Sequence, residues 1–284
     1  MTMANGVDRG PRGDAPAWRR CADNVVAAVT VLARPARIRP AERWLLPTRH
    51  LLIAALVTLV FFVVVMVVFD ARASAAAGRM PRWLIDFFDN ITDYGKSGYF
   101  LWPLGLLFLG LAALPPLTNR ISQRVLAAIM VRVGFLFLAI AVPGLFVTIV
   151  KRMIGRARPF VTGSADPYVF SPFIWRADYA SFPSGHSTTA FAVLVAFGTL
   201  FPRARTVLLI YAFLIAVSRV VVTAHYPTDV AGGALVGIGG ALLVRRYFAL
   251  RRLGFSVGPD GVPHQYPGPS VRRIKSVARD LLAP

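Results

Sequence analysis

The feature that most constrains this chain is an unbroken apolar segment from Leu51 to Phe69. Its nineteen residues include one weakly polar side chain, Thr58. A helix that rises about 1.5 Å per residue carries such a segment across most of a hydrocarbon core about 30 Å thick. The whole chain has a mean hydropathy of +0.59 and is 56% hydrophobic, above the composition of ordinary soluble proteins. The sequence therefore predicts an integral membrane protein.

Five more apolar stretches follow the first one. They cover residues 99–117, 125–150, 185–201, 206–223 and 229–248. Each is long enough to form a membrane helix, so the predicted fold class is all-α, an integral membrane bundle of six helices. We expect three regions: a basic N-terminal tail (1–48), a catalytic membrane domain (49–248) and a basic C-terminal tail (249–284).

Charge is distributed unevenly between the predicted loops. The formal net charge is +19, which in a soluble protein would suggest nucleic acid as a partner. Here the arginines cluster in the tails and in the loops at 118–124 and 202–205, as is typical of cytoplasmic segments. We therefore expect no nucleic acid, a multi-pass protein of the cell inner membrane with both termini cytoplasmic, and outward-facing loops at 70–98, 151–184 and 224–228.

Two shorter segments have the pattern of helices that lie on a membrane surface. In the first outer loop, Trp83, Phe87 and Ile91 share one helical face while Asp86 and Asp89 lie on the other, which predicts a short interfacial helix. Near the C-terminus, apolar residues from 271 to 281 recur at helical spacing among basic ones. That segment fits either a basic surface helix or a solvated charged tail.

Ionisable and hydroxyl side chains form three groups at the outward ends of the predicted spans. The first is Lys151 and, after six residues, Arg158-Pro159. The second is Pro183-Ser184-Gly185-His186. The third is Ser218-Arg219, then His225 after five residues and Asp229 after three more. Charged groups at such positions are costly and commonly functional, so these groups predict a site.

The residue types suit phosphoryl transfer, which needs several fixed donors around the phosphate and an in-line nucleophile. Lys151, Arg158 and Arg219 supply cations. Ser184 and Gly185 would open a helix whose free N–H groups favour an anion. Asp229 could orient His225 and increase its nucleophilicity.

These three motifs resemble the signature of the type-2 phosphatidic-acid phosphatase superfamily, which they match at every fixed position. The resemblance implies that His225 is the nucleophile and forms a phosphohistidine. It implies that His186 is the general acid, and that Lys151, Arg158, Ser184, Gly185 and Arg219 bind the substrate phosphate. It suggests undecaprenyl diphosphate, lipid A phosphate, phosphatidylglycerol phosphate or phosphatidic acid as substrate.

Each of these residues also has a structural interpretation. Ser184 fits the N-cap of the fourth span, and we expect it to serve as both cap and phosphate ligand. Asp229 could cap the sixth span, while Lys151 and Arg219 could be interfacial anchors. The joint occurrence of all three motifs favours a catalytic site over these separate explanations.

The predicted function is a membrane lipid phosphatase that acts on a phosphomonoester or diphosphate at the outer face of the membrane. We expect no metal and no cofactor, because three cations directed at one place would repel a metal ion, and we expect membrane lipids as partners. Two alternatives stay open: a phosphotransferase that passes the phosphoryl group to an acceptor lipid, and a non-catalytic anion-binding scaffold or transporter. The two histidines and the aspartate weigh against the second, since anion binding requires only the cations.

Overall fold

The computed structural model describes residues 16–37, 48–117 and 119–282. Ten α-helices occur in these residues: α1 (Ala17–Ala33), α2 (Thr48–Val65), α3 (Ala71–Ala77), α4 (Arg82–Asp93), α5 (Gly98–Ala113), α6 (Arg120–Ile154), α7 (Gly185–Leu200), α8 (Arg205–Val221), α9 (Pro227–Leu250) and α10 (Val271–Leu282). A single turn of π-helix, Met66–Asp70, joins α2 to α3 without a break. The architecture is helical, as the hydropathy pattern predicts.

Five of the helical segments in the described residues are long and apolar enough to cross a membrane. They are Thr48–Ala77, Arg82–Ala113, Arg120–Ile154, Pro202–Val221 and Pro227–Leu250, and the apolar helix Gly185–Leu200 is shorter. Multiple spans are thus confirmed, whereas a sixth crossing by α7 stays a prediction. A helix does form at Arg82–Asp93, and its interfacial position is also still a prediction.

The centre of the bundle is the contact between α7 and α9, which α6 and α8 flank. Small residues allow this contact: a Cβ atom at Gly233 would overlap the carbonyl oxygen of Ser184, and one at Gly237 would overlap that of Thr188. Such close backbone approach is the usual role of small residues in membrane helices. It fixes the start of α7 against the start of α9.

One part of the fold departs from an all-α class. Residues Phe255–Val257 (β1) and Pro263–Gln265 (β2) pair as an antiparallel hairpin, because Gly261, with φ 75°, allows the tight turn between them. The hairpin is anchored by Phe255, whose buried ring packs on Phe135. The C-terminal region therefore contains a folded hairpin beside the helix α10.

The helix α10 forms in the segment for which the sequence left two interpretations open. Its Val277 is buried against Leu117 and Val125, and its Asp280 accepts a 2.5 Å hydrogen bond from Ser122. These contacts attach α10 to the start of α6, at the end of the bundle opposite His225. The segment is therefore helical, and its position on a membrane surface stays a prediction.

Candidate active site

The residues of the three motifs meet at one end of the bundle. Lys151 lies in the last turn of α6, His186 in the first turn of α7, and Arg219 in the last turn of α8. His225 lies between α8 and α9, and Asp229 in the first turn of α9. Four helix termini and the loop between α8 and α9 therefore converge on one place.

Local backbone features fix the positions of two of these motifs. Gly155 ends α6 in the left-handed conformation, with φ 63°, and a Cβ atom there would overlap the carbonyl oxygen of Ser171. This turn starts the segment that carries Arg158. At the other motif, the N–H groups of Ala224 and His225 both donate to the carbonyl oxygen of Arg219 at 3.1 Å, which fixes His225 relative to that arginine.

His225 is almost completely buried beside a buried carboxylate. Its Nδ1 lies 3.6 Å from Oδ2 of Asp229, slightly beyond hydrogen-bond distance, and 3.4 Å from Oγ of Ser181. Ser181 in turn donates a 2.5 Å hydrogen bond to Oδ2 of Asp229. Because Nδ1 faces this pair, Nε2 is the ring nitrogen left for chemistry.

Asp229 also has the capping role that the sequence allows. Its Oδ2 accepts a 2.9 Å hydrogen bond from the N–H of Tyr226, which satisfies a free donor at the start of α9. The side chain is completely buried. The two interpretations of Asp229 are therefore compatible, because one carboxylate both caps α9 and lies beside His225.

The cations of the site retain unpaired donors. Arg219 donates from Nη1 to Oγ1 of Thr92 at 2.6 Å, while the Nε atoms of Arg219 and Arg158 are buried and have no acceptor among the described residues. Lys151, Arg158 and Arg219 are close enough to repel one another. Buried donors without acceptors are rare and costly, and a bound phosphate would satisfy them.

The start of α7 completes this arrangement. Ser184 is buried. Its Oγ accepts a 3.4 Å hydrogen bond from the N–H of Ser187 and a 3.1 Å hydrogen bond from the hydroxyl group of Ser187, so Ser184 is the N-cap of α7. A Cβ atom at Gly185 would lie 3.4 Å from Nζ of Lys151. The predicted cap role of Ser184 is thus present, and its role as a phosphate ligand stays a prediction.

The electrostatic environment keeps His225 neutral. Burial lowers the pKa of His225 to about 4; the charges of Arg219 and Arg158 act in the same direction, and the carboxylate of Asp229 acts against them. Burial also lowers the pKa of Arg158, against the attraction of Asp178 and Asp229. At neutral pH the site thus combines an unprotonated imidazole with charged guanidinium groups.

Sequence reasoning missed four residues that surround Asp229. Asp70, Arg156, Ser181 and Thr228 are all buried and connected to it. One signal was available for Asp70, an acidic residue directly after nineteen apolar ones. Arg156 lies inside the first motif at a position that the signature leaves free, so its burial could not be read from the spacing.

Among the described residues, no group of three or more His, Cys, Asp or Glu side chains could hold a metal ion. The acidic residues of the site instead pair with Arg156: Asp70 at 2.8 Å and Asp229 at 2.6 Å. Independence from metal ions stays a prediction that requires an activity measurement.

Two solved structures are similar to this chain. The crystal structure of Aquifex aeolicus LpxE has a TM-score of 0.46 at 26% identity and covers 63% of this chain and 95% of that one. A PAP2-type phosphatidylglycerolphosphate phosphatase from Bacillus subtilis has a TM-score of 0.47 at 23% identity and covers 66% of this chain and 92% of that one.

Sequence comparison gives closer relatives. The lipid A 1-phosphatase of Rhizobium johnstonii is 35% identical over 208 residues, which are 73% of this chain and 84% of that protein. The lipid A 1-phosphatase of Rhizobium etli is 35% identical over 70% of this chain and 85% of its own length. The family model of the PAP2 superfamily matches residues 132–253, a range that includes all three motifs. The chain therefore belongs to the PAP2 superfamily, the type-2 phosphatidic-acid phosphatases that its motifs indicate.

Proposed function

We propose that the protein is a membrane phosphatase that transfers the phosphoryl group of a lipid phosphate first to His225 and then to water. The relatives named lipid A 1-phosphatase support the class of lipid phosphatase. The observation that carries the mechanism is the neutral, buried His225 next to Asp229. At this place the buried Nε atoms of Arg158 and Arg219 find no acceptor in the described part of the chain. Anion binding alone would not require that histidine.

In the first step the phosphate binds among Lys151, Arg158 and Arg219, whose charges stabilise the oxygens that gain charge in the transition state. Nε2 of His225 attacks the phosphorus, and the bond between phosphorus and the lipid oxygen breaks. His186 interacts electrostatically with His225. The bound phosphate anion favours the protonated form of His186, which then donates its proton to the leaving oxygen.

In the second step water attacks the phosphohistidine. His186 has lost its proton to the leaving group and accepts one from the water. The Nε2–phosphorus bond breaks, which releases phosphate and restores neutral His225. Asp229 stabilises the positive charge that the phosphorylated imidazole ring carries between the two steps.

The first substrate to test is lipid A that carries a 1-phosphate, because two relatives at 35% identity have that name. The other candidates are undecaprenyl diphosphate, phosphatidylglycerol phosphate and phosphatidic acid. The proposal places the site on the outward face of the inner membrane, with residues 49–248 as the catalytic domain and the basic tails 1–48 and 249–284 in the cytoplasm.

The test measures phosphate release from each of the four lipids by detergent-purified protein, with a chelator present. We expect release from one or more lipids, a fall below about one thousandth of the wild-type rate for His225→Ala, and a fall of about 10²- to 10⁴-fold for His186→Ala. His264→Ala is the matched control, because His264 is exposed and its Nε2 lies 3.2 Å from Asp260 in the distant hairpin.

Three results would contradict the proposal. They are no release from any lipid, release that both histidine variants retain, or release that the chelator abolishes and added metal restores. If the substrate phosphate is labelled and the label passes to a second lipid and not to water, the enzyme is a phosphotransferase.

A further inference from the structure

Arg156 is the largest fully buried side chain in the described part of the protein. Its guanidinium group contacts two carboxylates: Nη1 donates to Oδ1 of Asp229 at 2.6 Å and Nη2 donates to Oδ2 of Asp70 at 2.8 Å. Nε donates to the carbonyl oxygen of Pro167 at 3.1 Å, and the ring of Tyr226 lies 4.5 Å from Cζ. Each of the three guanidinium nitrogens of Arg156 therefore has a hydrogen-bond acceptor.

Asp70 joins the first long helical segment to this centre. Its Oδ1 accepts a 3.0 Å hydrogen bond from the N–H of Thr228, and its Oδ2 also accepts one from the Thr228 hydroxyl. Arg156 donates to that hydroxyl oxygen as well, at 2.7 Å. Thr228 and Asp229 are adjacent in the first turn of α9, so Asp70 and Arg156 together fix the turn that follows His225.

The charges of this cluster do not cancel. One guanidinium group is shared between two carboxylates, so Asp70, Arg156 and Asp229 together carry one negative charge. The attraction of both carboxylates keeps Arg156 charged and raises its pKa in spite of its burial. Because Arg156 also pairs with Asp70, it does not neutralise Asp229 completely. Negative charge therefore remains on Oδ2 of Asp229, the oxygen nearest to His225.

We infer that Asp70 and Arg156 are positioning residues, which hold Asp229 beside His225 and set the charge that His225 meets. This inference rests on the proposed function, because it assumes that His225 is the nucleophile. Both side chains are buried and hydrogen-bonded to protein groups, so we place neither in contact with the substrate. Both act through Asp229, whose Oδ2 also accepts hydrogen bonds from Ser181 and the N–H of Tyr226.

The charged and titratable groups around His225 come from every element packed against it. Asp229 belongs to α9, Arg219 to α8, His186 to α7 and Arg158 to the loop after α6. In a set of this kind, a change at Asp70 or Arg156 alters the local charge without removing any group that faces the substrate. The two effects, position and charge, can therefore be separated by substitution.

The test compares three variants with the wild type in kcat, KM and the acid limb of the pH profile. The double variant Asp70→Asn/Arg156→Gln keeps the net charge of the cluster at −1 but removes the ion pairs that Arg156 makes with Asp70 and Asp229. We expect kcat to fall on the order of tenfold to a hundredfold, with KM within about threefold and the acid limb unmoved, since the nearby charge is unchanged.

Arg156→Gln alone leaves two carboxylates near His225 and should move the acid limb up by about one pH unit or more. Arg156→Lys keeps the charge and should retain more activity than either glutamine variant. If Arg156→Gln does not fold, the double variant, which leaves one buried carboxylate, carries the test. Arg203→Gln is the matched control, an exposed arginine between α7 and α8 at the other end of the bundle, and should have wild-type kinetics.

A purely structural role for the pair would lower the thermal stability of the double variant and leave kcat per folded molecule unchanged. That result, with His225→Ala inactive, would overturn the inference and leave the proposed function intact. Activity in His225→Ala would instead refute the proposed function itself. A lower kcat at constant KM in the double variant, with partial rescue by lysine, would support the inference.

Discussion

The reactivity of His225 depends on its protonation state, which burial controls. The ring is 2% exposed, and burial lowers its pKa to about 4, with Arg219 and Arg158 acting in the same direction against Asp229. An imidazole is nucleophilic only in its neutral form. Since the protonated form is favoured only below a pH of about 4, His225 is ready for attack throughout the physiological range.

This protonation state can be measured directly. The chain has four histidines, so NMR of protein with ¹³C-labelled histidine should give four ring signals, and the one missing from His225→Gln identifies His225. We expect that signal to titrate near pH 4 and to stay constant above about pH 5. A midpoint between 6 and 7, the range of an unperturbed histidine, would show that burial does not control the ring.

The connections of Asp229 show where residue-level reasoning from sequence ends. His186, His225 and the three cations could be named because fixed spacing brings each motif to the end of a predicted helix. Arg156 and Asp70 are 86 positions apart, and their contact depends on how the first span packs against the start of α9. Hydropathy does not encode that packing.

At the scale of elements, the site depends on how closely α7 approaches α9. Gly233, Gly237 and Ala241 stand four residues apart in α9, a spacing of small residues that lets helices approach closely. In the structure the two glycines lie directly against backbone atoms of α7. The same contact lets the carbonyl oxygen of Asp229 accept a 2.9 Å hydrogen bond from the N–H of Ser184. Packing of two helices thus places the second motif beside the third.

Substitution of one glycine tests this contact. Gly237→Ala places a methyl group against the Thr188 carbonyl and should destabilise the protein by about 1–3 kcal/mol. Gly239→Ala is the matched control on the same helix, because a Cβ atom there would meet no atom of another described segment within 4 Å. Thermal unfolding in detergent should separate the two, and equal stability of both variants would show that α7 and α9 do not touch closely.

Sequence patterns predict the long elements better than the short ones. The fourth apolar stretch, 185–201, forms the helix Gly185–Leu200, as a long apolar run predicts, while its crossing of the membrane stays a prediction. The hairpin of β1 and β2 has three residues in each strand, too few for an alternating pattern to emerge. Its stability comes from Phe255 packing on Phe135, a contact between distant parts of the chain.

At the scale of the whole molecule, the catalytic end and the end that carries α10 lie at opposite ends of the bundle. The phosphate site is formed by the end of α6 and the start of α7, whereas α10 packs near Val125 at the start of α6. Positive charge is concentrated in the tails and in the loops on the side of α10. The positive-inside tendency therefore predicts that the site faces outward and α10 faces the cytoplasm.

Cysteine labelling in intact cells tests this orientation. Cys21 is the only cysteine, so Cys21→Ser gives a background into which single cysteines can be introduced. Trp175 is 83% exposed in the loop between α6 and α7. The variant Trp175→Cys should therefore react with a maleimide that does not cross the inner membrane. Arg279→Cys, on the exposed face of α10, should react only after permeabilisation, and the reverse pattern would invert the orientation.

The most direct test of the central claim is to trap the phosphorylated enzyme. An aryl phosphate with a good leaving group needs no general acid for the first step, so His186→Ala should form the phosphoenzyme and hydrolyse it slowly. We predict a burst of about one product molecule per active site and an acid-labile, base-stable phosphate on the peptide that contains His225. Phosphate on another residue, or turnover by His225→Ala without any burst, would contradict the account.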